Sequence, residues 1–408
     1  MKLFRCENIL CNVGHPSPVT CHKTVGIFLF IVMLFTSINL QAQDSSKVEF
    51  KGYIKDLQNV FIPNPDTSVW LSDNTLDNRL QLTYYPLKWL KFDVQSRTRF
   101  IYGDFVEMIP NYDNYIDKDM GYFDLSFLWG SGNSYIAHTA LDRFNATINF
   151  NSWQITLGRQ RVNWGMDLAW NPNDIFNTYS YFNLEYPERP GTDAVSVKYY
   201  TGIASFAEGV YQLAETWDST SLGFIYRFNT HEFDIQFLGG KMRTDMVAGL
   251  GWSGNLLNAA LRGEVTYFKP YLDKTNETDG VIASLSADYS FSGSWYAQIG
   301  GLYNSFGKTK NSGSISFLEP TVPSPKMLSK GKYNLFASIS GQLGPLVTPI
   351  LSAIANPTDG SLIVIPSVSV SAADNINIAL SGMVLTGNSN TEYQNIGQLA
   401  YLKIQWNF

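Results

Sequence analysis

Few side chains capable of catalysis remain once the first 42 residues are set aside. The chain has four histidines and three cysteines, and the cysteines all precede residue 42. Of the two later histidines, His138 has no serine at strand spacing, and His231 follows a predicted short turn. A hydrolytic site needs a histidine base beside its nucleophile. We therefore expect no enzyme activity, no cofactor and no metal site, and we assign both histidines to structural or solvent-exposed positions.

Arginines and carboxylates are the other candidates, and they fall at alternate positions within apolar segments. In the segment 90–101, Phe92 and Phe100 alternate with Arg97 and Arg99. Successive side chains of a strand point to opposite faces, so such a segment has one apolar face and one charged face. A charged face enclosed by a barrel could line a pore. By this alternation the pore-lining candidates are Arg97, Arg99, Arg143, Arg227, Arg262 and Glu264.

The same alternation recurs from Val48 to Phe408 and predicts an all-β protein. A soluble β-sandwich would also alternate, but its strands are usually shorter. These segments run for about 9–13 residues, which suits tilted membrane crossings, and aromatic residues lie near their ends. Eight short turns alternate with nine longer connections, among them 241–245 and 356–360. The pattern predicts a transmembrane antiparallel β-barrel of about eighteen strands without a plug domain, in which 122–129 belongs to an outer loop.

The start of the chain has the features of an export signal. Basic residues precede the apolar run Val25–Leu40, and Ala42 follows it, the order typical of a signal peptide. A retained helical anchor is the alternative. We assign residues 1–42 to a cleaved signal peptide and residues 43–408 to a single outer-membrane barrel with both termini periplasmic. The net charge of −6 without a basic block argues against nucleic-acid binding.

The last residue, Phe408, ends a segment with apolar residues at alternate positions. The segment resembles the final strand of outer-membrane barrels, whose terminal phenylalanine is recognised by the β-barrel assembly machinery. The resemblance implies that Phe408 is an assembly signal. The implied partners are this machinery and outer-membrane lipid.

A distinctive segment covers residues 157–192. Its part Gly158–Gly165 reads GRQRVNWG. This stretch resembles the strand end of outer-membrane channels of the alginate-export type and their porin-like relatives. The later elements Asn171–Asp174 and Glu188–Gly191 resemble the porin-like relatives more. In alginate-type channels an arginine-lined pore passes an acidic polymer, so the resemblance implies that Arg159 and Arg161 lie in the pore wall.

Strict alternation from Leu157, however, would direct Arg159 and Arg161 towards lipid, which is costly at mid-membrane. We expect a β-bulge at Gly158 to reverse their direction; a position above the bilayer is the alternative. We further expect residues 163–191 to form an inward or capping loop. Asp174, Glu188 and Arg189 would lie near its constriction, where opposed charges select solutes. Alternatively, these three residues only clamp the loop.

These features predict an outer-membrane porin-like channel for passive diffusion of small hydrophilic solutes. A structural or adhesion barrel is one alternative, and a barrel lipid hydrolase is a weaker one. Calcium bound by acidic residues of an outer loop (Asp113, Asp117, Asp119) is also less favoured than solvated loop charge.

Overall fold

The computed structural model describes residues 47–64, 68–178, 188, 191–271, 278–313 and 324–408. The predicted signal peptide at 1–42 lies outside the described residues. No helix among the described residues is both long and apolar enough to span a bilayer. Nineteen strands form a single sheet: β1 Val48–Pro63, β2 Leu71–Leu87, β3 Leu90–Gly103, β4 Ser126–Ser131, β5 Tyr135–Phe150, β6 Trp153–Gln160, β7 Thr192–Tyr200, β8 Phe206–Gln212, β9 Ser221–Thr230, β10 Phe233–Met242, β11 Asp245–Leu256, β12 Ala259–Pro270, β13 Gly280–Ser290, β14 Trp295–Asn304, β15 Tyr333–Gly341, β16 Val347–Asn356, β17 Ser361–Ala373, β18 Ile376–Thr386 and β19 Gly397–Asn407.

The sheet closes on itself. Neighbouring strands pair antiparallel, and β1 pairs with both β2 and β19. Strand β4 does not cross the barrel. Its six residues pair only with residues 136–140 of β5, whereas β6 pairs with residues 144–150 of β5. Eighteen strands therefore make the closed barrel. The predicted fold is confirmed. Of the segment 122–129, which was assigned to an outer loop, residues 126–129 belong to β4, a strand that does not cross the barrel.

Hydrophobic patterning separates the two faces of the wall. Phe92, Phe144, Phe224 and Leu285 are exposed on the outside, whereas alternating residues such as Arg97 are buried inside. The outer face is apolar because hydrocarbon cannot hydrate charge, and closure leaves no unpaired strand edge in the membrane.

Connections differ in length at the two ends of the barrel. At one end the strands are joined by tight turns, and His231 and Glu232 form one of them with φ of 47° and 66°. The other end, called the loop end below, carries the longer connections, among them 104–134, which contains helices Asp104–Met108 and Tyr112–Ile116. One connection is shorter than expected. Strands β10 and β11 are joined by Arg243 and Thr244 alone instead of 241–245, whereas β16 and β17 are joined by residues 357–360, close to the expected 356–360.

The hydrophobic core lies inside the barrel and not between layers. Inward residues of β7 to β18, including Ile225, Leu238 and Phe336, form one buried cluster with residues 162–176 of the connection after β6. The inner faces of β1, β2, β3 and β5 instead carry buried charged residues. The interior is therefore apolar on one side and charged on the other.

Candidate functional site: the barrel interior

The connection after β6 supplies the apolar filling of the interior. We call its described residues 161–178 the inner loop. Its side chains Trp164, Trp170, Ile175 and Phe176 are all at most 8% exposed. Trp164 and Phe176 pack edge to face, with ring centroids 4.8 Å apart. The inner loop is thus packed against the wall like a core segment.

Glycines on the inner wall make room for the inner loop. A Cβ at Gly223 would lie 2.6 Å from the Trp164 ring, and one at Gly249 would lie 2.4 Å from Asn173 Oδ1. Real Cβ atoms do not approach other atoms this closely, so larger residues at these positions would displace the loop. At Gly223 and Gly249, where the inner loop packs against the wall, the sequence therefore has glycine and not a charged residue.

Glu264 of β12 anchors the inner loop. Its carboxylate accepts backbone N–H hydrogen bonds from Met166, from Asp167 at 2.9 Å and from Asn173 at 2.8 Å. The hydroxyl of Thr266, the next inward residue, donates to Asn173 Oδ1 at 2.7 Å. Glu264 is fully buried. Glu264 was predicted to line the pore, but its carboxylate lies between β12 and the inner loop. Three peptide N–H groups there replace the water molecules that a pore-lining carboxylate would bind.

Further polar contacts hold the loop along its length. Trp164 donates its indole N–H to Glu208 at 3.0 Å, and its carbonyl accepts from Gln236 at 2.9 Å. Arg227 donates to the same Gln236. Near the other end, Asp167 accepts from Ser286, and burial raises the pKa of the Asp167 carboxyl even with serine hydrogen bonds to it. The inner loop is therefore fixed to β8, β10, β12 and β13.

The opposite inner wall holds a charged row, defined as the buried Lys55, Asp77, Arg79, Arg97 and Arg143 together with the half-buried Asp142. Asp77 lies 3.1 Å from Lys55 and 2.6 Å from Arg97. Arg79 donates to Asp142 at 2.5 Å. Opposite charges on neighbouring strands thus pair across the sheet, whereas Arg143 donates to the backbone carbonyl of Asp142 at 2.7 Å. The row therefore extends across β1, β2, β3 and β5.

Glu188 is the one residue of 179–190 that the structure describes. Its carboxylate lies 3.9 Å from Arg79, and its side chain is 37% exposed. An acidic residue of the connecting segment thus faces the charged row. Asp174, expected beside it, is instead fully buried within the inner loop, where its backbone carbonyl accepts from Thr178. Arg189 lies outside the described residues.

The two arginines of the GRQR segment do not reach the pore wall by a bulge. Strand β6 pairs with β5 and β7 without any register shift at Gly158, although this glycine has a φ of +107°. Arg159 therefore keeps the strand face of Leu157, while Val162 enters the interior cluster. The expected bulge is wrong, and Arg161 is an exposed residue just beyond the strand.

Arg159 avoids lipid in a different way. Its guanidinium lies 2.6 Å from Asp119 and 2.9 Å from Asp193, and it donates to the Phe123 carbonyl at 2.6 Å. Asp119 and Phe123 belong to the segment before β4, which covers the arginine and leaves it 5% exposed. A charge that cannot face hydrocarbon is thus buried by a loop with matched acceptors.

The remaining predicted residues, Arg262 and Arg99, lie in different parts of the barrel. Arg262 pairs with Asp288 of β13, two residues closer to the turn end than Glu264, and its side chain is 23% exposed. Arg99 lies near the loop end, 3.2 Å from His138 Nδ1. His138 Nε2 is 3.3 Å from Asp117, so in the described part of the chain its neighbours are Arg99 and Asp117, with no serine hydrogen-bonded to it.

The acidic outer loop does not assemble a metal site in the described ranges, where no group of three or more potential ligands occurs. Its carboxylates have other partners. Asp113 accepts from Ser131 at 2.9 Å, and Asp119 binds Arg159. These acids tie the loop to β4 and β6.

Known structures were compared with this architecture. OccAB3 from Acinetobacter baumannii superposes with a TM-score of 0.59 at 10% identity, over 88% of this chain and 99% of that one. The outer membrane protein opdK from Pseudomonas aeruginosa gives 0.56 at 9% identity, over 88% and 98%. The chain has the fold of these outer-membrane proteins. No protein-family model and no curated protein matches its sequence. The comparisons support the porin-like barrel of the predicted resemblance, and its alginate-export type stays a prediction.

Sequence reasoning missed most of the charged row. Lys55, Asp77 and Arg79 were not singled out, although Asp73, Asp77 and Arg79 occupy odd positions of β2. This alternation was the available signal. No comparable signal in the sequence predicts the hydrogen bonds from Trp164 and Gln236, because these bonds join segments far apart in the chain.

Proposed function

We propose that this protein is an outer-membrane channel through which small hydrophilic solutes diffuse passively. The observation that carries the proposal is the divided interior, a closed eighteen-strand wall with a charged row on one side and the anchored inner loop on the other. A barrel of this size has an interior wider than its wall side chains fill. A loop fixed inside narrows such an opening without closing it.

The proposed constriction of the channel lies between the charged row and Glu188. Arg79 and Glu188 face each other there. Opposed charges create a field across the opening and select solutes by charge and hydrogen bonding. Asp174 acts on the constriction indirectly, by shaping the inner loop. Arg189 belongs to the same proposed constriction.

Solutes carrying a single carboxylate fit this channel best. The row as defined contains four cationic and two anionic side chains, so its charge remains positive when Glu188 is added; Asp73 lies further towards the loop end, where it accepts from the Phe105 N–H. The solved structure of the Pseudomonas aeruginosa protein OpdK with vanillate shows an aromatic carboxylate with a protein of this fold. An acidic polymer is less suited, since Arg159 is occupied by Asp119 and Asp193.

Export and orientation complete the proposal. Residues 1–42 direct export, residues 43–408 form the barrel domain, and Phe408 is read by the assembly machinery. The loop end then faces outward, and both termini are periplasmic. Longer outer loops and tight periplasmic turns are the usual arrangement of such barrels.

Reconstituted protein tests the function directly. Liposomes containing the folded barrel should swell in small carboxylates and neutral sugars, and planar bilayers should show discrete conductance steps. A folded barrel that admits neither ions nor sugars would refute the channel. Fatty-acid release from lipid under the same conditions would support the hydrolase, and impermeable barrels that bind other cells would support the adhesion barrel.

A further inference from the structure

A groove lies on the outer, apolar face of the barrel. Its volume is about 510 Å³, and it spans strands β12 to β16. The exposed side chains Leu285, Ile299 and Leu335 form its rims. Gly301 and Ala337 lie between them, where small residues leave the wall thin.

The lipid-facing surface of other strands carries large exposed side chains. Phe144 and Phe224 are each 54% exposed on other strands. In β14 and β15 the pairs Ile299–Ala337 and Gly301–Leu335 alternate a large residue with a small one. Hydrocarbon chains fill such a concave apolar surface with little loss of contact.

Cationic residues lie at the loop end of the same strands. Tyr303 and Tyr333, the next outward residues above the groove, pack with ring centroids 5.5 Å apart. Lys332 extends over the Tyr303 ring at 5.9 Å. The backbone N–H of Lys332 donates to the carbonyl of Lys308 at 3.0 Å. Lys310 follows on the same exposed segment. Among the described residues, none of these three lysines forms an ion pair with a carboxylate.

The distance between groove and lysines suits one lipid molecule. Gly301 and Tyr303 are two residues apart on β14, which is about 7 Å along a strand. Tyrosine rings favour the level of lipid headgroups, and lysines beyond them meet anionic headgroups. An acyl chain in the groove therefore brings the headgroup of the same lipid to the lysines.

We propose that this groove binds an acyl chain of a phosphate-bearing lipid in the leaflet at the loop end, with Lys308, Lys310 and Lys332 binding its phosphate. The apolar groove matches the chain, and the three positive charges match the headgroup. A second copy of the protein fits less well, because two concave grooves facing each other would enclose a void. The site is separate from the channel, since it lies on the opposite side of the wall.

Native mass spectrometry of the detergent-purified barrel tests the proposal. The probes are lipid A, a bisphosphorylated acylated disaccharide, and its dephosphorylated form. Wild-type protein should retain lipid A at least about tenfold better than the dephosphorylated form, since each lysine near a headgroup adds to the attraction. The triple variant Lys308→Gln, Lys310→Gln, Lys332→Gln should lose this preference. Its control removes three exposed lysines at the turn end (Lys47→Gln, Lys51→Gln, Lys88→Gln) and should keep it.

A second variant tests the groove itself. Gly301→Leu with Ala337→Leu fills the depression and should weaken retention of both lipids, whereas Ala146→Leu on the outer face of β5 should not. Heat-dependent gel mobility verifies that each variant is folded. Unchanged retention in the lysine triple variant or in the filled-groove variant overturns the proposal. The proposal is also overturned if the wild type forms a dimer that the filled-groove variant no longer forms, because the groove would then bind a second copy of the protein.

Discussion

The backbone N–H of Asn173 donates to the buried carboxylate of Glu264 at 2.8 Å, across 91 positions of sequence. The same carboxylate accepts from Met166 and Asp167. A single side chain of β12 therefore holds two separate turns of the inner loop. We therefore expect the position of the inner loop, and with it the width of the channel, to depend on this anchor.

Replacing Glu264 by glutamine should loosen the inner loop. The amide NH2 would face peptide N–H donors, and each lost hydrogen bond to a charged acceptor costs about 1.5–3 kcal/mol. We expect a larger and noisier single-channel conductance in planar bilayers. Asp288→Asn is the matched control, since Asp288 pairs with Arg262 on the same face and does not touch the loop. Equal conductance in Glu264→Gln and wild type would contradict the anchoring role.

The charged row should set ion preference. Arg97 pairs with Asp77 at 2.6 Å, so the two residues form a matched pair of opposite sign. Arg97→Gln should shift the reversal potential in a salt gradient towards cation preference, and Asp77→Asn should shift it towards anions. Asp77→Asn removes the carboxylate that both Lys55 and Arg97 contact and should cost about 3–5 kcal/mol of stability, whereas Arg97→Gln leaves Lys55 beside Asp77 and should cost less. Shifts of the same sign in both variants would show that the row does not control selectivity.

The connection between β18 and β19 should loosen in acid. Burial alone would raise the pKa of Asp359, but hydrogen bonds from Ser361, Ser312 and the Glu392 N–H lower it below the ordinary 3.8. A carboxylate with a lowered pKa stabilises the fold above its unfolded-state pKa, and this contribution disappears as pH falls through the folded-state value. Pepsin should therefore cleave near the buried Tyr393 at about pH 2.5 and much less at about pH 4.5.

Asp359→Asn provides the control for this pH effect. An amide has no charge to lose, so the variant should be cleaved near Tyr393 at both pH values. Strong protection of the variant at the higher pH would mean that the carboxylate is not what holds the connection.

The barrel seam should be sensitive to the size of residue 52. Gly52 and Phe408 exchange backbone hydrogen bonds of 2.9 and 3.0 Å, and a Cβ at Gly52 would lie 2.7 Å from the Phe408 ring and 2.5 Å from the Arg79 carbonyl. Gly52→Val should reduce the fraction of folded barrel, measured by heat-dependent gel mobility. Gly209→Val, at a glycine whose Cβ would meet nothing within 4 Å, should fold normally.

Patterns of period two were sufficient to predict the wall. Alternation placed Arg97 and Phe92 on opposite faces, and turn residues located each hairpin within a few positions. Alternation could not predict how Arg159 after Gly158 is kept from lipid, because the segment that covers it lies about forty residues earlier in the chain. Glu264 shows the same limit. Alternation gave its direction correctly, but only the folded inner loop determined whether its carboxylate meets water or peptide N–H groups.

The pairing of β1 with β19 also orders assembly in time. Every other strand can pair with a neighbour that is adjacent or nearly adjacent in sequence, whereas this seam joins the first strand of the barrel to the last. Until β19 arrives, β1 and β18 remain as two open edges able to pair with other chains. The half-built sheet therefore keeps an exposed edge on β1 for the whole interval between its first and last hairpins, and only pairing with β19 removes that edge.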